Sequence, residues 1–397
     1  MKILYVCSEI PYPPINGVRI PVWNSMQLMH QAGHEVSVHV IDSNRSAPSE
    51  LPEPMHFVSN YSVASIPARS GPAIMLRAII SRRLFFLEKN WAPTAAENLK
   101  RLIAEVEPDC IHFDVITTTR YVSVVPKTVR AVASINDSFS FSLEERIRSK
   151  GTGWVRRWYI QYQLRIAKRY EATQYAKFAA VHVVSQKDAD YLQQIGCRSK
   201  IHVISNGVDE DILNRQSTRN NSRDVVFVGK IAGRNLDYVS ELLDEIWPKV
   251  VNSFPDAKLW VVGSWAKSSE AQVASWSKMP GVNFAGFVER LSEAYDHGGV
   301  SIVPVDKKCG QINKAIEAMA MGHAVVGYRS TFNGIPEAEP GRDCIIAETS
   351  DDIPNRVKAL LADDTCRQNI QQNARSLALK HYQWADRTKL LESLYFE

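Results

Sequence analysis

Pro304-Val-Asp-Lys-Lys-Cys-Gly310-Gln-Ile-Asn-Lys314-Ala-Ile-Glu317-Ala-Met-Ala-Met-Gly322-His-Ala-Val-Val326 is the stretch on which the reading of this chain turns. An apolar strand, Val300 to Val303, runs into a glycine-containing loop. Helical spacing then holds from Ile312 to Met321, Gly322 closes the helix, and Ala324 to Gly327 reads as a second buried strand. Strand, loop, helix and strand in this order make the crossover that a parallel sheet requires. Within the helix Glu317 stands among Ile316, Ala318, Met319 and Ala320, where a carboxylate needs a partner. A ribose diol donating two hydrogen bonds is one such partner. A half-exposed glutamate paired with Lys314 three residues earlier is the other, and the residues alone leave both open.

The same unit repeats in both directions. On the C-terminal side strands are expected at Val225 to Val228, Lys258 to Val262 and Val282 to Phe284, with helices at Asn235 to Asn252 and Ser269 to Trp276. On the N-terminal side strands are expected at Lys2 to Cys7, Glu35 to Ile41, Cys110 to Phe113, Arg130 to Ile135, Ala180 to Val184 and Ile201 to Ile204, with helices at Trp23 to Gln31 and Ala95 to Glu105. The polar run Asn214 to Arg223 suits an exposed connection, and the domain boundary is expected in this region, giving residues 1–205 and 206–379. The 397 residues thus divide into two α/β halves, each long enough for its own core. Ligands of such sheets bind beyond the carboxyl ends of the strands or between domains.

Composition excludes several classes. Lys plus Arg number 47 against 43 Asp plus Glu, a net charge of +4, too mild for a nucleic-acid binder. The six cysteines show no Cys-x-x-Cys pair and no Cys/His cluster, so zinc and a disulfide framework are not expected and reduced thiols in the cytoplasm are. The apolar run in MKILYVCSEI is too short for a signal peptide, and the densest apolar stretch, Pro72 to Leu87, is interrupted by Arg77, Arg82 and Arg83. The final Ser393-Leu-Tyr-Phe-Glu397 resembles a fragment of a protease-tag site and carries no functional reading.

Other segments carry chemistry. The loop Pro11-Tyr-Pro-Pro-Ile-Asn-Gly17-Val-Arg19 sets a glycine and an arginine before a helix, either as an anion-facing turn or as a Pro-rich bend. Phe227-Val-Gly229-Lys230-Ile-Ala-Gly233-Arg234-Asn235 offers two glycines and two cations at a strand end, a concavity that suits a diphosphate. Asp209-Glu210-Asp211 has the spacing of a two-carboxylate metal site but stands at a helix start, where acids are favoured for capping and dipole reasons; metal binding is not expected. Between Arg148 and Arg169 there is no acid; Val155, Tyr159, Tyr162, Ile166 and Tyr170 recur at helical spacing opposite Arg157, Gln161, Arg165 and Lys168. Residues 148–169, with Trp154 and Trp158, read either as a helix lying on an anionic membrane or as a core-packed helix with a solvated basic face.

The set resembles the retaining GT-B glycosyltransferases of glycosyltransferase family 4, of the kind found in bacterial exopolysaccharide and lipopolysaccharide loci. Gly17, Val184-Ser185, Ile204-Ser-Asn-Gly-Val-Asp209, Phe227-Val-Gly229, Phe254-Pro-Asp-Ala-Lys-Leu-Trp-Val-Val-Gly263, Gly286-Phe-Val288 and Glu317-Ala-Met-Ala-Met-Gly322 follow the family's order and spacing. The resemblance implies two doubly wound Rossmann-like domains facing a cleft, with the last helix, 380–397, crossing back onto the first. It implies a nucleotide-sugar donor on the second domain, a carbohydrate or lipid-linked acceptor on the first, no metal or other cofactor, and front-face attack assisted by the leaving phosphate.

Carried over residue by residue, Glu317 holds the donor ribose; the backbone of Gly310, Gln311 and Ile312, with Lys314, meets diphosphate and sugar. Lys230, beside Gly229, occupies a basic position at the diphosphate, Arg234 approximates a second, Val288 belongs to the nucleobase loop, and Gly17 with Arg19 faces the donor from the first domain. Two positions depart: Cys309 stands where a glutamate is usual, and Asn136 replaces a histidine before Asp137. Asp137 orients the acceptor or takes its proton, with Asp114 a further acceptor-side residue; a turn-bonded Asp137 is the alternative. A sugar transferase at the inner membrane face is the expectation. A nucleotide-sugar isomerase or hydrolase of this fold, or a silent scaffold, remains the alternative.

Overall fold

The computed structural model describes residues 1–44, 46–48, 50–148 and 153–396. The chain separates into two compact units, Met1–Ser205 with Ala385–Glu397, and Asn206–Trp384. Each contains one wholly parallel sheet covered by helices.

In the first unit the strands are β1 (Lys2–Cys7), β2 (Glu35–Asp42), β3 (Asn60–Ser65), β4 (Cys110–Asp114), β5 (Arg130–Asn136), β6 (Ala180–Val183) and β7 (Ile201–Val203), in the order β3-β2-β1-β4-β5-β6-β7. Alternation along β1 divides two cores. Leu4 and Val6 join Ile111, Phe113 and Leu99 on one face. Ile3 and Tyr5 join Val38, Met26, Leu394 and Tyr395 on the other. The C-terminal helix Trp384–Phe396 supplies the last two and is tied down by polar contacts. His112 Nδ1 lies 2.7 Å from the Tyr395 hydroxyl, Arg130 Nε donates to the Leu394 carbonyl at 2.6 Å, and His34 Nε2 lies 2.7 Å from Glu392 Oε1.

The second unit holds β8 (Val225–Val228), β9 (Leu259–Val262), β10 (Val282–Gly286), β11 (Val300–Val303), β12 (Ala324–Tyr328) and β13 (Ile345–Ala347), in the order β10-β9-β8-β11-β12-β13. Phe227, Val261, Ile302 and Val326 face one core; Val226, Val262, Val303 and Val325 face the other, against Ala315 and Met319 of the helix Asn313–Ala320.

Four sequence expectations change. Strands β3 and β13 lie at sheet edges: β3 mixes polar and apolar residues, and β13 is apolar but only three residues long, too short to stand out. The helix expected from Asn235 to Asn252 is broken by a π-helical turn, Glu241–Ile246, just before Trp247-Pro248; a proline has no N–H and crowds the carbonyl one turn back, and the wider turn relieves both. The polar run 214–223 is exposed over most of its length, as expected, but does not join the two units. It belongs to the second unit and buries Ser217 and Asn220: Ser217 donates to the Gly298 carbonyl at 3.1 Å, and Gln371 Nε2 donates to the Asn220 carbonyl at 2.9 Å.

Finally, the helix Trp154–Gln174 packs through Ile160, Ala167 and Glu171 together with Ile166 and Tyr170 of the expected stripe, and leaves Tyr159, Trp154 and Trp158 exposed, the last at 66%. Residues 149–152 of the basic stretch, and the side chains at 148, 155 and 156, lie outside the described residues.

Because Leu394 is almost fully enclosed in the second core of the first unit, Leu394→Ala is expected to lower the stability of that unit by about 2–5 kcal/mol, read from urea unfolding. A loss well below 1 kcal/mol would mean that the C-terminal helix is not part of this core.

Candidate functional site

In the second unit the first three strands end in glycines that bring their backbones together. Gly229 N–H donates to the Val262 carbonyl at 2.9 Å, and Gly263 N–H donates to the Gly286 carbonyl at 2.8 Å. A Cβ on Gly263 would lie 2.3 Å from the Gly229 carbonyl oxygen, so no other residue fits there. After Gly229 the chain turns outward: Lys230 and Arg234 are exposed, and Asn235 Nδ2 braces the turn on the Lys230 carbonyl at 3.0 Å.

Behind Gly229 stands Lys314, in the first turn of the Asn313–Ala320 helix. Its Nζ would be 2.8 Å from a Cβ at position 229, lies 4.9 Å from the centre of the Phe227 ring, and is buried with no hydrogen-bond partner. Burial pulls its pKa down to about 8, against the opposing pull of Glu317. Glu317, one turn on, does not hydrogen-bond this ammonium. Its Oε2 accepts from the Tyr295 hydroxyl at 2.8 Å, and burial lifts its pKa to about 7 against that hydrogen bond, with Asp209 pushing the same way as burial and Lys314 the opposite way.

Tyr295 is held in turn by His323. The His323 Nε2 lies 2.8 Å from the Tyr295 carbonyl, which can only accept, so Nε2 carries the proton and Nδ1 accepts from Ser301 Oγ at 2.8 Å. Sequence reasoning missed Tyr295: 22 residues before Glu317 and in an ordinary amphipathic turn, it offers no local signal.

The loop before the helix is equally constrained. Gly310 has φ +70°, and Cys309 is buried. The Gln311 side chain is engaged within the chain, its Oε1 accepting from Asn206 N–H at 2.6 Å, while Asn206 Nδ2 donates to Asn313 Oδ1 at 3.2 Å. What Gln311 can offer a ligand is therefore its backbone. Val288 is half-buried behind the exposed Phe287.

Asp209 begins the short helix Glu210–Leu213 without a side-chain capping bond. Asp211 pairs with Arg215 at 3.4 Å. Among the described residues no three His, Cys, Asp or Glu side chains group as metal ligands would.

In the first unit Asp114, Asn136 and Asp137 sit at the carboxyl ends of the paired strands β4 and β5. Two non-glycine residues there adopt left-handed backbone, Val115 at φ 54° and Asn136 at φ 58°, and such strain collects at functional sites. Asn136 Oδ1 is buried without a partner. Asp114 is buried, and desolvation, with Glu9 adding to it, raises its pKa well above the usual carboxylate range. Asp137 N–H closes a tight turn on the Ile135 carbonyl at 2.7 Å.

This loop is pinned by two buried acids that sequence reasoning also missed. Asp188 accepts from Ser138 N–H at 2.9 Å. Glu171 accepts from Phe139 N–H at 2.8 Å, from Ser138 Oγ, from Ser140 N–H and from Ser140 Oγ, and so caps the Phe139–Arg148 helix. A readable signal existed, since Glu171 falls on the buried stripe of Ile160, Leu164 and Ala167. Gly17 is exposed with open space around it, and Arg19 is paired with Glu9 at 2.7 Å, so its charge is already answered within the loop.

Two family models match the chain: Glycosyltransferase Family 4 over residues 15–212, and Glycosyl transferases group 1 over residues 222–363. The chain belongs to the family 4-like glycosyltransferases of the GT-B fold. Solved structures agree on the fold across its whole length. Sucrose-phosphate synthase from Thermosynechococcus elongatus is 16% identical with a TM-score of 0.73, covering 100% of this chain and 98% of its own. Anabaena HepE in complex with UDP and glucose is 15% identical with a TM-score of 0.69, covering 99% and 98%. WaaG, a glycosyltransferase involved in lipopolysaccharide biosynthesis, is 13% identical with a TM-score of 0.68, covering 99% of each. A search of curated proteins returned no match. Among the described residues no helix of this glycosyltransferase is long and apolar enough to cross a membrane.

Burial lifts the Glu171 pKa from 4.5 to about 7, so this residue favours folding fully below pH ~4.5 and loses that contribution as pH rises through 7. Glu171→Gln removes the titration. The stability of the variant relative to wild type should therefore improve from pH 5 to pH 8, by up to about 3 kcal/mol in urea unfolding. A pH-independent difference would contradict the buried-acid account.

Proposed function

We propose that this glycosyltransferase moves a sugar from a nucleoside-diphosphate donor to a carbohydrate or lipid-linked acceptor with retention, in the assembly of a bacterial surface polysaccharide or glycoconjugate. The observation that carries this reading is the Lys314 ammonium, buried without a hydrogen-bond partner behind Gly229 and one turn from the raised Glu317 carboxylate. A diphosphate supplies the acceptors that Lys314 lacks, and a ribose diol supplies hydrogen bonds that favour the ionised form of Glu317. The backbone of Gly310, Gln311 and Ile312 meets the same phosphates, Lys230 and Arg234 approach from the turn after β8, and Val288 borders the base. Charge that develops on the departing nucleotide then meets a cation already in place, which costs no reorganisation and takes the role a metal ion has elsewhere.

On the acceptor side Asp137 orients the attacking hydroxyl or receives its proton, with the leaving phosphate assisting. Asn136 and the proton-retaining Asp114 bind acceptor hydroxyls. The similarity to HepE with UDP and glucose, and to WaaG in lipopolysaccharide biosynthesis, supports this donor and acceptor chemistry. Exposed Trp154 and Trp158 beside Arg157 and Arg165 support peripheral attachment to an anionic inner membrane face through the 148–169 stretch.

Glu317→Ala is expected to weaken binding of UDP or GDP, whichever wild type prefers, by about ten-fold or more in calorimetry. Unchanged affinity would overturn the assignment. Wild-type affinity should also rise from about pH 6 to about pH 8 more steeply than that of Glu317→Gln, because the carboxylate that accepts the diol forms over this interval. Slow nucleotide release from one nucleotide sugar without acceptor is expected; no release from any donor would contradict transfer.

A further inference from the structure

The first unit also carries an apolar cavity, whose lining includes none of Asp114, Asn136 or Asp137. A pocket of about 310 Å³ opens between the helix Gly71–Ile80, the residues that follow it, and the helix Trp154–Gln174. Its walls are apolar and aromatic: Ala78, Ile79, Phe85, Trp158 and Tyr162, with Arg83 as the charged member. That volume is at the lower end of the ~300–1,000 Å³ typical of small-molecule sites, and the lining offers almost nothing for a polar ligand to bond. Around it the surface exposes Leu76 and Ile80 as well as Trp154. A soluble protein does not gather such residues at one place without a partner.

The charges at the pocket specify that partner further. Arg77, Arg83 and Arg120 all converge on one buried carboxylate, Glu88, at 3.6, 3.2 and 3.0 Å. Within this group three guanidiniums meet one carboxylate, an excess of two positive charges, and Arg77 and Arg83 are the half-exposed members. Guanidinium forks of this kind match phosphate oxygens. Packing links the pocket wall to the segments that follow the acceptor-side strand ends. Phe86, next to the lining residue Phe85, packs edge-on against Phe139 at 4.6 Å, two residues beyond Asp137, and Ile116, two beyond Asp114, joins the same cluster.

We propose that this pocket takes the hydrocarbon chain of a phosphate-bearing lipid acceptor, with its phosphate on Arg77 and Arg83. The assignment rests on the lipid-linked branch of the proposed function and adds to it a site for the lipid itself. An alkyl segment replaces water against the aromatic walls, the phosphate neutralises the arginine excess, and the head of the lipid is held on the side of Asp114 and Asp137.

The test is calorimetric titration of the full chain with dodecyl phosphate below its micellar concentration. Saturable one-to-one binding is expected, weakened about ten-fold or more by Ala78→Phe, which fills the pocket, and by Arg83→Gln. Met75→Trp, which narrows the pocket at a partly exposed position, keeps the test valid should Ala78→Phe fail to fold. Equal affinity in the folded variants, or inorganic phosphate binding as tightly as dodecyl phosphate, would overturn the proposal.

Flotation on anionic vesicles separates the acceptor chain from a bilayer lipid. The pocket-filled variant should still float, because Leu76, Ile80, Trp154 and Trp158 remain exposed; loss of flotation together with alkyl phosphate binding would assign the pocket to bilayer docking and overturn the acceptor assignment. Failure of the transferase reading would appear separately, in nucleotide calorimetry on the other unit, and leaves the dodecyl phosphate result to stand or fall alone.

Discussion

The Lys314 ammonium is pressed against the Phe227 ring behind Gly229, with none of its hydrogens donated, and much of the second unit is arranged to make that position possible. A side chain at 229 would displace it. Gly229 in turn needs Gly263, since a Cβ there would collide with the Gly229 carbonyl. The two glycines and the parallel strands that carry them thus form one constraint. An ammonium held out of water without an acceptor is a cost in the free protein. Burial lowers the Lys314 pKa and separately raises that of Glu317, and an anion with a diol relieves both.

The groups around this pair are supports rather than ligands. Ser301, His323 and Tyr295 form a chain of hydrogen bonds that ends on Glu317, and Gln311 with Asn313 binds Asn206. The first unit repeats the strategy with other residues. Glu171 and Asp188 hold the Asn136-Asp137-Ser138 turn, and left-handed backbone at Val115 and Asn136 is maintained at the strand ends by the packing around it. Rigid sheets with strained, acid-pinned turns at their carboxyl ends are a means of fixing reactive groups before any ligand arrives.

The two α/β halves were legible because central parallel strands are buried on both faces and read as apolar runs, as Ile3 to Cys7 of β1, β8 and β9 do. Of the edge strands, β3 escaped because its residues are mixed and β13 because it is only three residues long. Glu317 could be singled out because a carboxylate among alanines and methionines is anomalous wherever it folds. The partners of these residues could not: Tyr295 is far from Glu317 in sequence, and the Glu9–Arg19 pair spans a loop whose path only the structure gives. Within the polar run 214–223 the buried Ser217 and Asn220 could not be told from their exposed neighbours, since hydrophilic residues that bond buried backbone look the same in sequence as solvated ones. In the Trp154–Gln174 helix residues of two adjacent stripes share the inward face, and only packing shows that Ile160 is enclosed while Tyr159 is left outside.

A crystal structure of the protein with a nucleotide sugar addresses the central claim most directly. The account predicts the ribose hydroxyls on the Glu317 carboxylate and the diphosphate within hydrogen-bond distance of Lys314 Nζ and the backbone amides of Gly310 to Ile312. A nucleotide bound elsewhere, with Lys314 still unpartnered and Glu317 still bonded only to Tyr295, would contradict it.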